Sequence, residues 1–141
     1  MLSRLRHTTL LIIEPNDIAR DQYRSALKPL GCSFIQTATG ASALAIVEQM
    51  MPDLVITELM LPDLSGVDLL NAFDANPKLR VVPIIAVSNA DAQAQLPPAA
   101  AAEFADCLLK PIDALRLRAV VSRILGQESG PRASGTGTAR G

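Results

Sequence analysis

The chain has 141 residues, of which 49% are hydrophobic types, and a formal net charge of −1. This length fits one domain of ordinary size, and the apolar content excludes a disordered chain. The charge offers no electrostatic footprint for nucleic acid, so no nucleic-acid partner is expected. No apolar stretch approaches the roughly 20 residues that a membrane span needs, and the N-terminus lacks a signal-peptide pattern. We therefore expect a cytoplasmic protein with no membrane partner.

Apolar runs of strand length alternate with helical patterns along the chain. The strands are predicted at residues 8–13, 33–37, 54–57, 83–87 and 105–109. The helices are predicted at residues 17–30, 40–50, 66–75, 97–104 and 112–125, the fourth being short. Residues 88–96 are predicted to be a long connection. Asn16 can cap the first helix and Gly31 ends it.

This alternation predicts an α/β domain. Strands that are apolar throughout and separated by helices indicate a parallel sheet covered on both faces. Right-handed crossovers then give a doubly wound arrangement of five strands and five helices. The domain is predicted to occupy residues 1–126. Residues 127–141 are rich in Gly, Ser and Thr and are predicted to form a flexible tail.

Four polar side chains stand at or after the ends of predicted strands. They are Glu14, Glu58, Ser88 and Lys110. In an open parallel sheet, ligands bind beyond the carboxyl ends of the strands. Two carboxylates, a hydroxyl and an ammonium at one edge are able to bind a phosphoryl group and a divalent cation.

The same positions resemble the receiver domains of two-component response regulators. The segment PDLVITELMLPDLSG is similar to the third strand and following loop of that family, with Glu58 where the phosphorylated aspartate is expected. Ser88 and Lys110 match the hydroxyl and the lysine that contact the phosphoryl group. Pro111 matches a proline whose preceding peptide bond is usually cis. LLIIEPND is similar to the first strand with its acidic pair. The resemblance implies a flavodoxin-like sheet of strand order 2-1-3-4-5 and a non-enzymatic role in phosphorelay signal transduction.

Three departures from the family pattern indicate an atypical receiver, or pseudo-receiver. The acceptor position holds Glu58 instead of aspartate, and Pro15 replaces one acid of the pair that follows the first strand. Cys107 stands where the family has its switch aromatic. Glu14 and Glu58 remain as residual metal ligands. Because Pro15 supplies no side-chain oxygen, we expect Mg²⁺ binding to be weak, and no other cofactor is expected.

The longer side chain of Glu58 is expected to prevent phosphorylation. Its carboxylate lies one methylene further out, on the order of 1.5 Å, and a misplacement of about 1 Å can cost roughly 10²-fold in rate. Two roles for Glu58 stay open. It either mimics the phosphorylated state, accepting hydrogen bonds from Lys110 and Ser88, or is a relic that pairs with Lys110. Asp63, in the loop after the third strand, is explained by turn chemistry.

The leading hypothesis is a stand-alone signalling module that binds a histidine kinase, another regulator or an output protein without phosphorylation. The alternative is a functional receiver that is phosphorylated with the help of Mg²⁺ at an unusual site. A nucleotide- or flavin-binding enzyme would need a Gly-rich loop after the first strand, and EPNDIAR contains no glycine. A homodimer is a further hypothesis, through the face formed by the fourth helix, the fifth strand and the last helix. Its apolar candidates are Leu117, Val121, Ile124 and Leu125.

Overall fold

The computed structural model describes Leu5 and residues 7–126, and it contains a five-stranded parallel sheet of order β2-β1-β3-β4-β5. The strands are β1 (Thr9–Ile13), β2 (Ser33–Thr37), β3 (Leu54–Glu58), β4 (Ile84–Ser88) and β5 (Asp106–Leu109). The predicted fold class and strand order are confirmed. The predicted tail at 127–141 lies outside the described residues.

Six α-helices flank the sheet in this part of the chain. They are α1 (Asp17–Leu27), α2 (Gly40–Gln49), α3 (Gly66–Asp74), α4 (Ala90–Ala94), α5 (Pro98–Glu103) and α6 (Ala114–Leu125). Five of them begin at a side-chain cap, formed by Asn16, Thr39, Ser65, Asn89 and Asp113. Such caps satisfy amide groups that have no partner within the helix. No described helix is both long and apolar enough to cross a bilayer.

The predicted helix count was one too low, and several predicted helices are shorter in the structure, the first among them. The connection predicted at residues 88–96 contains α4, because the Asn89 side chain accepts a hydrogen bond from the amide of Ala92 at 2.8 Å. The first predicted helix ends as an α-helix at Leu27 and continues as a 3-10 helix, Lys28–Leu30. Pro29 has no amide hydrogen and restricts the residue before it, which explains the change.

The core forms two layers, one on each face of the sheet. Successive residues of β1 alternate between them, since side chains of a strand point to opposite faces. Leu10 and Ile12 pack with α1 and α6, while Leu11 and Ile13 pack with α2 and α3. The apolar candidates for a dimer surface on α6 belong to the first layer: Leu117, Val121, Ile124 and Leu125. Leu117 and Val121 are buried in this layer, whereas Ile124 and Leu125 pack against it and are partly exposed.

Strand register brings the polar residues to one edge of the sheet. Ile13 pairs with Thr57, so Glu14 and Glu58 follow at the same level of neighbouring strands. Glu58 pairs with Val87, which places it one residue from Ser88 across the sheet. The carboxyl ends of β1, β3, β4 and β5 thus form the floor of a common site.

Candidate functional site

Lys110 lies between two carboxylates at the carboxyl edge of the sheet. Its Nζ is 2.6 Å from Oε1 of Glu58 and 2.9 Å from Oε1 of Glu14. Glu14 is only 2% exposed and Glu58 only 8% exposed. One ammonium therefore serves two buried carboxylates, and the predicted pairing of Lys110 with Glu58 is confirmed.

The environment of Lys110 keeps its side chain charged. Burial is the largest single influence and lowers the pKa of Lys110, but the hydrogen bonds to Glu58 and Glu14 and the negative charges of these two residues together raise it by more, so the net pKa is raised. A negative charge within hydrogen-bond distance favours the charged form of the ammonium. The ammonium is accordingly a fixed positive charge of the site at neutral pH.

Glu14 receives two further donors. Its Oε1 accepts a hydrogen bond from the Tyr23 hydroxyl at 2.8 Å, and its Oε2 accepts one from the amide of Asn16 at 3.0 Å. Tyr23 is 1% exposed, and burial raises its pKa, with the hydrogen bond to Glu14 adding to the effect. Sequence reasoning counted Tyr23 only as a helical core position and missed this contact. The available signal was a lone tyrosine on a buried face, since its hydroxyl needs a partner there.

Glu58, the last residue of β3, is held on both oxygens. Its Oε1 accepts from Lys110, and its Oε2 accepts from the amide of Met60 at 3.1 Å. The side chain thus turns back onto the loop that follows its own strand. Neither oxygen is left without a donor.

Ser88 is buried at the end of β4 but does not contact Glu58. Its hydroxyl donates to the carbonyl oxygen of Asn89 at 3.2 Å. The hydrogen bond from Ser88 that the mimic role of Glu58 would use is therefore not formed, and Glu58 instead accepts from Lys110 and the Met60 amide.

Cys107 occupies the middle of β5, beside the site. Its side chain is half-buried and lines a cavity of about 290 Å³ together with Leu109, Pro111 and Ile112. Burial raises the pKa of the Cys107 thiol, and the negative charge of Asp106 raises it further. The Lys110–Pro111 peptide bond is cis, as the resemblance implied.

The donor set does not fit Mg²⁺. This ion demands near-octahedral oxygen ligands, and both carboxylates here already accept hydrogen bonds on each oxygen. Lys110 adds a positive charge where a cation would lie against Glu14 and Glu58, and Pro15 offers no oxygen ligand from its side chain. Within Leu5 and residues 7–126, no three His, Cys, Asp or Glu side chains are grouped to hold a metal.

The sequence pattern of a known family extends over most of this chain. The family model of the response regulator receiver domain matches residues 10–122. The chain belongs to this family. The receiver domain is 32% identical over 108 residues to the regulatory protein LuxO of Vibrio vulnificus, which covers 76% of this chain and 23% of LuxO. It is 26% identical over 80 residues to the polar-differentiation response regulator DivK of Brucella ovis, covering 57% of this chain and 65% of DivK. The chain thus spans about a quarter of the length of the LuxO relatives.

Solved structures share the fold of this receiver domain. A putative response regulator from Chloroflexus aurantiacus superposes with a TM-score of 0.78 at 27% identity, over 86% of this chain and 99% of its own. The receiver domain of a sensor histidine kinase from Pseudomonas aeruginosa superposes with a TM-score of 0.77 at 26% identity, with the same two coverages. That domain has a magnesium ion coordinated in its active site cleft.

Proposed function

We propose that this receiver domain is a pseudo-receiver, which acts by binding a signalling protein and is not phosphorylated at residue 58. The observation that carries the proposal is Lys110, whose ammonium joins Glu58 to Glu14. This arrangement offsets part of the negative charge at the acceptor position without a metal ion or a phosphoryl group. The domain then has a binding role and not an enzymatic one, in the cytoplasm.

Phosphoryl transfer to Glu58 would require three changes at once. A carboxylate oxygen must be free to attack phosphorus in line, but Lys110 and the Met60 amide engage both oxygens of Glu58. Mg²⁺ must neutralise the charge on the transferring group, and the donor set does not fit it. The side chain must also shorten by about one methylene to reach the geometry of aspartate. Because all three act on one step, their effects on the rate reinforce one another.

We further propose that Glu58 is a static element of the fold and not a mimic of the phosphorylated state. A phosphoryl group carries more charge and more acceptor oxygens than a carboxylate. In support, the Ser88 hydroxyl bonds to Asn89 and is not drawn toward Glu58. Amide shifts of residues 88–96, compared by NMR between the natural chain and Glu58→Asp, test this. A shift pattern confined to β3 and its loop is expected, whereas changes throughout residues 88–96 contradict a static role.

The surface around the site supports a protein partner. Ile18 is 70% exposed, Met60 66% and Leu115 69%. They lie at the start of α1, in the loop after β3 and at the start of α6, all on the carboxyl side of the sheet. Exposed apolar side chains mark an interaction surface where they form a contiguous patch. We propose that a histidine kinase, another regulator or an output protein binds here.

Intact-mass spectrometry tests the absence of phosphorylation. The natural chain is incubated with acetyl phosphate and Mg²⁺, beside a control carrying Pro15→Asp, Glu58→Asp and Tyr23→Phe, which restores both acids and removes the hydroxyl that donates to Glu14. We expect no adduct on the natural chain and an adduct with the mass of one phosphoryl group on the control. An adduct mapped to Glu58 overturns the proposal and favours the second candidate.

That second candidate is a phosphoaccepting receiver. Lys110 and Ser88 favour it, because both lie at the strand ends where they would contact a phosphoryl group. The mass measurement separates the two functions.

A homodimer remains a separate proposal, through α5, β5 and α6. With Leu117 and Val121 in the core, its support on this face is the exposed Leu109 at the end of β5, together with the partly exposed Ile124 and Leu125. Light scattering on the natural chain and on Leu109→Ser tests it, with a concentration-dependent dimer expected only for the natural chain. A monomer at all concentrations excludes the homodimer.

A further inference from the structure

The carboxylate of Glu14 is enclosed by three donors from three directions. The Tyr23 hydroxyl and the Lys110 ammonium both reach Oε1, at 2.8 and 2.9 Å, and the Asn16 amide reaches Oε2 at 3.0 Å. Tyr23 approaches from the core side, because α1 packs on the sheet face that holds Leu10 and Ile12. The enclosure therefore combines a charged donor at the site with a neutral donor from the interior.

We propose that Tyr23 and Lys110 together take the place of a divalent cation at Glu14. Tyr23 is the residue that prevents Mg²⁺ from binding there. This inference rests on the proposed function, since it explains why the site works without a metal. Lys110 supplies the positive charge, and Tyr23 fills the remaining side of the same oxygen.

The burial of Tyr23 makes its displacement costly. A cation on Oε1 of Glu14 would compete with the hydroxyl of Tyr23, a residue that is 1% exposed. Displacing the hydroxyl would leave a buried donor without a partner, which costs the desolvation of that group. Lys110 differs in this respect, since its side chain is 28% exposed and can move toward solvent.

Pro15 alone does not account for the exclusion of Mg²⁺. Restoring an acid at position 15 adds a ligand but leaves Glu14 enclosed by its three donors. Removing the Tyr23 hydroxyl without changing the ring opens Oε1. Pro15→Asp therefore tests the effect of the missing ligand, and Tyr23→Phe tests the effect of the hydroxyl that occupies Oε1 of Glu14.

Calorimetric titration with Mg²⁺ alone tests the inference on the full chain. The variants are Pro15→Asp and Pro15→Asp with Tyr23→Phe. We expect the second to bind Mg²⁺ roughly ten- to a hundredfold more tightly, the range of a hydrogen bond to a charged group. Thr57→Val in the Pro15→Asp background is the matched control, because it removes a buried hydroxyl that donates only to the Glu58 carbonyl oxygen. Equal affinities with and without the Tyr23 hydroxyl, or no Mg²⁺ binding by either variant, overturn the inference.

A spectroscopic measurement tests the inference without requiring that the Tyr23→Phe variant folds. Tyr23 is the only tyrosine and the chain has no tryptophan, so the near-UV spectrum reports on its hydroxyl. Mg²⁺ bound to Pro15→Asp should shift the tyrosine spectrum by displacing the hydroxyl from Glu14. Binding by calorimetry with an unchanged spectrum contradicts the inference. Phosphorylation of the natural chain would instead contradict the proposed function, so the two failures are distinct.

Discussion

The carboxylate of Asp63 accepts a hydrogen bond from the amide of Gly40 at 2.9 Å, which ties the loop after β3 to the first turn of α2. Its second oxygen accepts from the amide of Ala41 at 2.7 Å. Leu64 packs over the same turn, so closely that a side chain at position 40 would begin 2.5 Å from it. The loop that leaves Glu58 is thus anchored at a distant helix, beyond the turn chemistry predicted for Asp63.

Asp63→Asn should destabilise the domain and loosen this loop. The hydrogen bonds from Ala41 and Gly40 lower the pKa of Asp63. A lowered pKa means that the stabilisation is present above the ordinary value of about 4 and is lost as pH falls through the folded-state pKa. Urea unfolding at neutral and acidic pH should therefore show a difference between the natural chain and Asp63→Asn that shrinks in acid. A difference that is constant with pH would rule out this charge dependence. Asp21→Asn, on the exposed face of α1, serves as the control with little effect.

Lys110→Met should be among the most destabilising single substitutions at the site. It leaves Glu14 and Glu58 as two buried carboxylates without their shared ammonium. Removing one partner of a buried ion pair lowers the free energy of unfolding by about 3 kcal/mol or more. Urea denaturation measures the loss, and adding Glu58→Gln should recover part of it by removing one uncompensated charge. Natural stability in Lys110→Met alone would show that the carboxylates do not depend on Lys110.

Much of the fold could be predicted because its signals are local. Strand-length segments identified all five strands, and a cap followed by periodic apolar residues identified the first helix. Helix α4 was missed because a five-residue helix, Ala90–Ala94, has too few turns to show a period. Its one local signal was Asn89, which caps it.

The site was predictable in its composition but not in its contacts. The predicted strand ends placed Glu14, Glu58 and Lys110 together, because the carboxyl ends of parallel strands lie at one edge of the sheet. The acceptor of the Ser88 hydroxyl was left open by the sequence, because it depends on how the side chains pack around Glu58. The hydroxyl of Tyr23 lies on a different element from Glu14, and no spacing rule relates the two positions. Such contacts depend on tertiary packing, which a single sequence does not encode locally.

The domain should lose stability in alkali through Tyr23 and Lys110. Both pKa values are raised in the folded state, by burial and the Glu14 hydrogen bond for Tyr23 and by the two carboxylates for Lys110. A raised pKa means that the stabilisation is complete below the unfolded-state value, about 10 for both groups, and is lost as pH rises through the folded-state value. Unfolding free energy should therefore fall above about pH 10.

Tyr23→Phe should flatten this alkaline decline. The variant loses stability at neutral pH, by about 1–3 kcal/mol, because Glu14 loses a donor. It also removes one of the two groups whose pKa is raised in the folded state. The unfolding free energy of the variant should therefore fall less steeply with pH above about pH 10 than that of the natural chain. Thermal unfolding from neutral to strongly alkaline pH measures both slopes. Parallel slopes would show that Tyr23 ionises equally easily in both states.

The two cysteines should react slowly and at different rates. Burial raises the pKa of both thiols, which lowers the thiolate fraction that alkylating reagents attack. Cys32 is buried whereas Cys107 is half-buried beside a cavity, so Cys107 should react first. Peptide mapping after timed alkylation with iodoacetamide at neutral pH measures each rate, and denatured protein supplies the unprotected reference. A native Cys107 that matches this reference would contradict the raised pKa.

Asp106→Asn separates the two causes at Cys107. The negative charge of Asp106 is the smaller cause, after burial, and Arg123 pairs with it at 3.2 Å. Arg123 already offsets part of the charge of Asp106. Asp106→Asn should therefore accelerate alkylation of Cys107 by less than about tenfold, which is the effect of one pKa unit. The rate at Cys32 should not change, since burial alone raises its pKa. Acceleration at both thiols would indicate a loosened fold, because a local charge acts only on its neighbour.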